Sequence, residues 1–167
     1  MMTTKERLIV TLPSDREIHM ERTFHAPRAL VFDAFTKPEH VTKWWGAGGG
    51  VETLAVCEID FRVGGAWRFV VRKPGGQEYP FKGVFKEIVA PVRVVRTEIF
   101  DVAPFDASPA LVTTIFDEVD GRTIMRETTL APSQEVRDAH LKNGMEQGAA
   151  KSLDALEALL ETFKDRS

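Results

Sequence analysis

Apolar and polar residues alternate with a period of two through the middle of this chain, as in β-strands that bury one face. Trp67 and Phe69 share one face of such a segment, and Gly83 and Phe85 share a face of another. A glycine in a strand often marks a bend or a close backbone approach. Sequences that favour tight turns separate these segments at residues 74–77 and 120–121. The pattern predicts an antiparallel meander with a curved face, of about six to seven strands in all.

Helical spacing occurs between the first strand segments and this meander. Residues 18–24 alternate like a strand, although Arg22 interrupts the apolar face. Pro27 then occupies a position typical of a first helical residue. A second short helix is predicted from the capping-box pattern of residues 36–39, and Gly46 is placed to end it. Two short helices therefore follow the first strand of the predicted domain.

From Ser133 onward the apolar residues follow helical spacing. A helix is predicted over residues 134–142, stopped by Asn143-Gly144, and a longer helix follows. The apolar stripe of the longer helix is formed by Met145, Ala149, Ser152, Leu153, Leu156, Leu160 and Phe163. An antiparallel sheet with helices at both ends of the sequence is an α+β fold. We expect the curved sheet to wrap around the long C-terminal helix.

Length and composition predict one domain that buries its own core. The chain has 167 residues, of which 43% are apolar. Residues 15–164 are assigned to this domain, residues 1–14 to an N-terminal extension with a candidate short strand, and residues 165–167 to a C-terminal tail.

Charge and cysteine content narrow the class of protein. The 22 basic and 25 acidic residues are interspersed and leave a net charge of −3, which disfavours nucleic acid as a partner. The single cysteine, Cys57, excludes an internal disulfide and favours a reducing compartment. No segment has the apolar length of a signal peptide or a membrane span. A cytoplasmic protein without membrane contact is expected.

Aromatic residues are the first candidates for a binding site. Either they line an apolar cavity between sheet and long helix, or they fill a packed core, and both interpretations stay open because aromatic side chains bury large areas in either case. Trp45 is the best single candidate because it precedes the glycine-rich connector at residues 47–50, a candidate gate. The candidate lining residues are Trp45, Trp67, Phe69, Phe81 and Phe85.

Polar residues offer weaker candidates for chemistry. Glu87 shares the parity of Phe85 and is expected to face inward, where it would bind a ligand hydroxyl or act as a base. A structural ion pair with Arg62 or Arg68 is the favoured alternative, because buried charges are usually paired. The four histidines lack metal-ligand spacing, and no nucleotide or nucleophile motif is present. We expect no metal and no cofactor, and we favour a noncatalytic role.

Several short blocks follow one another in a recognisable order from about Asp15 to Leu160. They are Phe24 to Arg28 with Val31-Phe32, Pro38 to His40 with Trp44 to Gly46, Asp60 to Trp67, Gly83 to Ile88, Pro91, and Gly148 with Ser152 to Leu156. In these blocks the chain resembles the SRPBCC or START-like superfamily, which has the helix-grip fold of the birch-pollen allergen. Within it, the chain is similar to the branch named for the activator of the ninety-kilodalton heat-shock-protein ATPase (Aha-type).

The resemblance implies binding of a small hydrophobic or aromatic molecule, noncatalytic or weakly catalytic. Ala149 stands where this branch often has tryptophan, and the smaller alanine side chain would enlarge a cavity beside Leu153. One alternative is a co-chaperone-like protein that stimulates a chaperone ATPase. Another is a polyketide cyclase-like or hydrolase-like enzyme that uses Glu87 and Arg62. The expected partners are a small hydrophobic ligand and, as further candidates, a chaperone or a second copy of the chain.

Overall fold

A computed structural model describes residues 6–46 and 53–164 of the chain. Its strands are β1 (Ile9–Thr11), β2 (Glu17–Phe24), β3 (Thr53–Ile59), β4 (Ala66–Arg72), β5 (Glu78–Val89), β6 (Arg93–Phe100), β7 (Ala110–Val119) and β8 (Arg122–Leu130). Its helices are α1 (Arg28–Thr36), α2 (Pro38–Trp44), α3 (Gln134–Lys142) and α4 (Met145–Lys164), with a 3₁₀ turn at Phe105–Ala107.

The strands form one antiparallel sheet. Over the described residues its eight strands have the spatial order β1-β2-β8-β7-β6-β5-β4-β3. The predicted α+β helix-grip fold is therefore confirmed. Seven strands lie within the expected domain from β2 onward, and β1 adds the short strand expected in the N-terminal extension. The first five residues of that extension, the predicted connector at residues 47–50 and the predicted tail at residues 165–167 lie outside the described residues.

Local sequence explains where the helices begin and end. The Ser133 hydroxyl caps α3 by accepting a hydrogen bond from the Val136 amide at 3.2 Å, and Gly144 has a φ of 88° after the helix. The predicted capping box at the start of α2 is wrong. Thr36 stays in α1 and its hydroxyl donates to the Phe32 carbonyl, while Pro38 itself begins α2.

The core lies between the inner face of the sheet and helices α1, α2 and α4. The inner face of β2 carries Ile18, Met20 and Phe24, all of which are buried. Leu156 and Leu160 on α4 are fully buried in the same core. The C-terminal half of α4 is thus the packed half of that helix.

Arg22 connects β2 to α4 from within this core. Its side chain is 1% exposed, and Nη1 donates to Asp154 Oδ1 at 2.8 Å. Nε and Nη2 find no hydrogen-bond acceptor among the described residues. Burial raises the pKa of Glu157, one helical turn after Asp154, and the charges of Arg22 and His25 oppose that shift. Arg22 therefore depends on Asp154 for its one charged hydrogen bond.

We expect Asp154→Ala to lower the free energy of unfolding by about 3 kcal/mol, because it leaves a buried guanidinium without its acceptor. Urea denaturation monitored by circular dichroism measures this loss. Lys151→Ala, which removes a charge at an exposed position of the same helix, is the control and should change stability by less than about 0.5 kcal/mol. A double variant, Arg22→Met with Asp154→Ala, should recover part of the loss. Equal effects of Asp154→Ala and Lys151→Ala would contradict this account.

Candidate ligand-binding site

A cavity of about 790 Å³ lies between the inner face of the sheet and the N-terminal half of α4. Some of its lining residues are exposed to solvent and mark the mouth, among them Lys73, Gln147 and Lys151. Others, among them Phe116, Met125 and Leu153, are buried in the core and form the inner end. The cavity thus runs from solvent into the apolar interior.

Most of the predicted site residues meet in this cavity. The predicted residues that line it are Trp45, Trp67, Phe69, Phe81, Phe85, Ala149 and Leu153. Trp45 packs edge-on against Phe69 and Phe81, with ring centroids 4.9 and 5.0 Å apart. The Trp67 and Phe69 centroids are 4.8 Å apart. The aromatic side chains therefore form a continuous wall across β4 and β5.

Trp44 and Trp45 point in different directions, as their spacing on a short helix predicts. Trp44 is 3% exposed and its indole N–H donates to the Ala34 carbonyl at 2.9 Å. Trp45 is half-buried at the end of α2. Both tryptophans line the cavity, but Trp44 also anchors α2 to α1 through its indole N–H, while Trp45 packs against Phe69 and Phe81.

Gly83 leaves room for the indole of Trp67 to reach across β5. Trp67 on β4 pairs with Gly83 on β5, and its indole N–H reaches the Thr97 carbonyl on β6 at 3.2 Å. A Cβ atom at position 83 would clash with that carbonyl oxygen and lie 2.5 Å from the indole nitrogen. Only glycine leaves room for the indole at this point of the wall.

Gly83→Ala should lower the free energy of unfolding by about 1 to 3 kcal/mol, because the new methyl group displaces Trp67 or the β6 backbone. Thermal and urea denaturation measure the change, and near-ultraviolet circular dichroism reports the environment of the indole. Gly75→Ala is the matched control, because no atom lies within 4 Å of a Cβ built there. Unchanged stability and spectra for Gly83→Ala would refute the close packing of Trp67.

A polar cluster that sequence reasoning missed interrupts the apolar wall. Arg96 Nη1 donates to the Thr114 hydroxyl at 3.3 Å, and that hydroxyl donates to Glu127 Oε2 at 2.7 Å. Arg96 Nη2 lies 3.5 Å from Glu98 Oε1 and 3.9 Å from Glu127 Oε2. All four residues line the cavity. One guanidinium thus lies close to two carboxylates at the cavity wall. We call Arg96, Glu98, Thr114 and Glu127 the wall cluster.

The wall cluster is shielded from bulk water. The side chains of Arg96, Glu98 and Glu127 are 18%, 26% and 13% exposed. Burial raises the pKa of Glu98 and the nearby Glu127 charge adds to this effect, while Arg96 lowers it by charge and hydrogen bonding. The sequence did contain a signal for this cluster. Arg96 and Glu98 alternate in step with the apolar residues Val94 and Phe100, so all four side chains are expected on the same face of the strand.

Glu87 and Arg62 lie outside the cavity, which corrects the expected inward orientation of Glu87. The register between β5 and β6 shifts between Phe85 and Glu87, so parity is not maintained past that bulge. The Glu87 side chain is 48% exposed and accepts from Arg93 Nε at 3.1 Å. Arg62 is 74% exposed and pairs with Asp60. The expected ion pair of Glu87 exists, but its partner is Arg93 rather than Arg62 or Arg68.

The remaining polar candidates are Cys57 and His140. No group of three His, Cys, Asp or Glu side chains among residues 6–46 and 53–164 is arranged to hold a metal ion. Burial raises the pKa of Cys57 to about 11, which disfavours its thiolate. His140 lines the cavity and stacks on Phe105 with centroids 5.1 Å apart, and burial lowers its pKa. Cys57 packs against the core, and His140 forms part of the cavity wall.

The raised pKa of Glu98 predicts a pH-dependent effect of Glu98→Gln. A carboxyl whose pKa is higher folded than unfolded binds more protons in the folded state, so stability falls as pH rises from the ordinary value of 4.5. Glutamine does not titrate, so Glu98→Gln should be more stable than the parent at about pH 8, with the difference shrinking toward about pH 4. Urea denaturation across this range measures it, with Glu87→Gln as the control. A gain that is larger in acid would contradict the assignment.

The fold and the cavity define a helix-grip domain, and comparison with known proteins gives its family. The chain belongs to the family described as Activator of Hsp90 ATPase homolog 1-like protein, whose family model matches residues 25–161. No significant match to a curated protein is found. None of the described helices has the length and apolarity needed to cross a bilayer.

Solved bacterial structures share this fold. A protein from Rhodobacter sphaeroides is 20% identical with a TM-score of 0.83, and the match covers 93% of this chain and 99% of that one. A protein from Mycobacterium smegmatis is 22% identical with a TM-score of 0.82, covering 92% and 97%. The AHSA1-like protein from Aeromonas hydrophila is 20% identical with a TM-score of 0.67, covering 89% and 94%. At these identities the likeness concerns the fold alone.

Proposed function

We propose that this protein binds a small hydrophobic or aromatic molecule in the cavity between its sheet and α4. The observation that supports this proposal is a cavity of about 790 Å³ lined by Trp45, Trp67, Phe69 and Phe81. Ligand sites of this size, about 300 to 1,000 Å³, enclose drug-sized molecules in a mostly apolar lining. Exposed lining residues at the mouth give such a molecule a route of entry.

Apolar burial alone would give only weak affinity. A two-ring aromatic molecule that buries roughly 300 Å² gains about 7 kcal/mol from water exclusion. Association costs at least about 4 kcal/mol in lost translational and rotational freedom. The remainder corresponds to a dissociation constant of about 1 mM or weaker. Tighter binding requires contacts with ring faces and with the polar groups of the wall.

A carrier role fits the positions of the polar residues better than the enzyme considered from the sequence. Glu87 and Arg62 cannot act on a molecule inside the cavity because both side chains lie on the outer surface. The Hsp90 ATPase activity named in the family description concerns that family, and for this chain a co-chaperone role stays a prediction. A chaperone ATPase assay with this protein added would test it.

The neutral fluorescent dye N-phenyl-1-naphthylamine tests the proposed function. We expect its emission to rise on binding the parent protein, and we expect Ala149→Trp to weaken binding about tenfold or more, since an indole at this lining position occupies the cavity. Ala150→Trp is the matched control. It adds the same side chain at the next helical residue, which is not part of the cavity lining in the described chain.

The two variants separate cavity binding from nonspecific adsorption. Thermal denaturation first establishes that both remain folded. Binding that survives in Ala150→Trp and is lost in Ala149→Trp supports the cavity as the site. Equal binding by both variants, or no dye binding by the folded parent, would refute the proposal.

A further inference from the structure

We propose that the wall cluster selects the polar group of the ligand, favouring an aromatic body that carries an amine over an isosteric molecule that carries a carboxylate. This inference rests on the proposed function, since it concerns the same cavity. It follows from the unequal numbers of acidic and basic groups in the cluster. Glu98 and Glu127 share one guanidinium, that of Arg96.

The hydrogen bonds of the cluster leave Glu98 with the weakest contacts. Glu127 accepts a 2.7 Å hydrogen bond from the Thr114 hydroxyl and also lies near Arg96. Glu98 has the 3.5 Å contact with Arg96, which is long for a charge-assisted hydrogen bond. Its side chain remains 26% exposed and lines the cavity. Glu98 is therefore the acceptor best placed to receive a donor from a bound molecule.

The Arg96 side chain is 18% exposed, against 26% for Glu98, and two of its three nitrogens already have partners. Nη1 is used by Thr114, and Nη2 lies between the two carboxylates. The guanidinium carbon lies 5.8 Å from the centre of the Trp67 ring. A ligand carboxylate would have to compete with two fixed carboxylates for one guanidinium, and it would approach both of them as a like charge.

An ammonium group meets favourable surroundings at the same place. It can donate hydrogen bonds to Glu98 and balance the second negative charge of the cluster. The neighbouring aromatic wall also suits a cation, because ring faces attract positive charge, as Arg96 over Trp67 illustrates. Lys73 and Lys151 also line the cavity, but they are exposed at its mouth, where salt screens their charge.

Three probes with one naphthyl body test this selectivity. They are 2-(1-naphthyl)ethylamine, 2-(1-naphthyl)ethanol and the carboxylate 1-naphthaleneacetate. Each is titrated against the dye-loaded protein at about pH 7. We expect the amine to displace N-phenyl-1-naphthylamine at a concentration about tenfold lower than the acetate, with the alcohol between them.

Variants assign the selectivity to the cluster. Glu98→Gln should reduce the difference between amine and acetate to about threefold or less, because it removes one carboxylate and keeps the side-chain shape. Glu87→Gln, on the outer face, should leave the difference unchanged. Retention of the full difference in Glu98→Gln would overturn the assignment to Glu98.

The outcomes distinguish this inference from the proposed function. Equal displacement by all three probes would overturn the selectivity while cavity binding stands. Tighter binding of the acetate would also overturn it and would identify Arg96 as an anion anchor. If the dye binds in the cavity but no naphthyl probe displaces it, the selectivity is refuted alone. If neither the dye nor the probes bind, both proposals fail.

Discussion

The contact between Arg22 and Asp154 fixes the relation between sheet and long helix, on which the rest of the structure depends. It joins the inner face of β2 to the middle of α4 across 2.8 Å. On its C-terminal side, Leu156 and Leu160 are buried in the core. On its N-terminal side, most of the residues from Met145 to Leu153 line the cavity. A buried charge needs its partner in a defined position, and this pair lies at the point of α4 where cavity-lining residues give way to packed ones.

The aromatic wall depends on a second constraint, the absence of a side chain at Gly83. Trp67 reaches from β4 across β5 to the Thr97 carbonyl on β6, which requires the space above that glycine. Its ring in turn contacts Phe69 and lies near the Arg96 guanidinium. The same tryptophan therefore orders the apolar wall and supports the polar cluster within it.

Sequence periodicity predicted most of the strands and helices and the placement of the long helix against the sheet, because burial follows strand and helix periods directly. Ala149 was proposed as a lining residue from the family resemblance instead. Periodicity gave the wrong orientation for Glu87, because a bulge after Phe85 turns the Glu87 side chain to the opposite face of the sheet. No residue from Phe85 to Glu87 is of a type that would indicate this bulge. Periodicity also missed Glu98 and Glu127. Their parity was visible, but recognising them as one cluster requires the pairing of β6 with β7 and of β7 with β8, which brings distant residues together.

Arg22 and Arg96 show that one sequence signal, a charge on an apolar strand face, has two physical meanings. Arg22 is 1% exposed and is held by α4, so its charge is used within the fold. Arg96 faces the cavity beside two carboxylates, so the chain leaves an excess acceptor there. A buried charge satisfied by the chain holds the structure together. One left with surplus hydrogen-bonding capacity at a cavity wall is available to a molecule from outside.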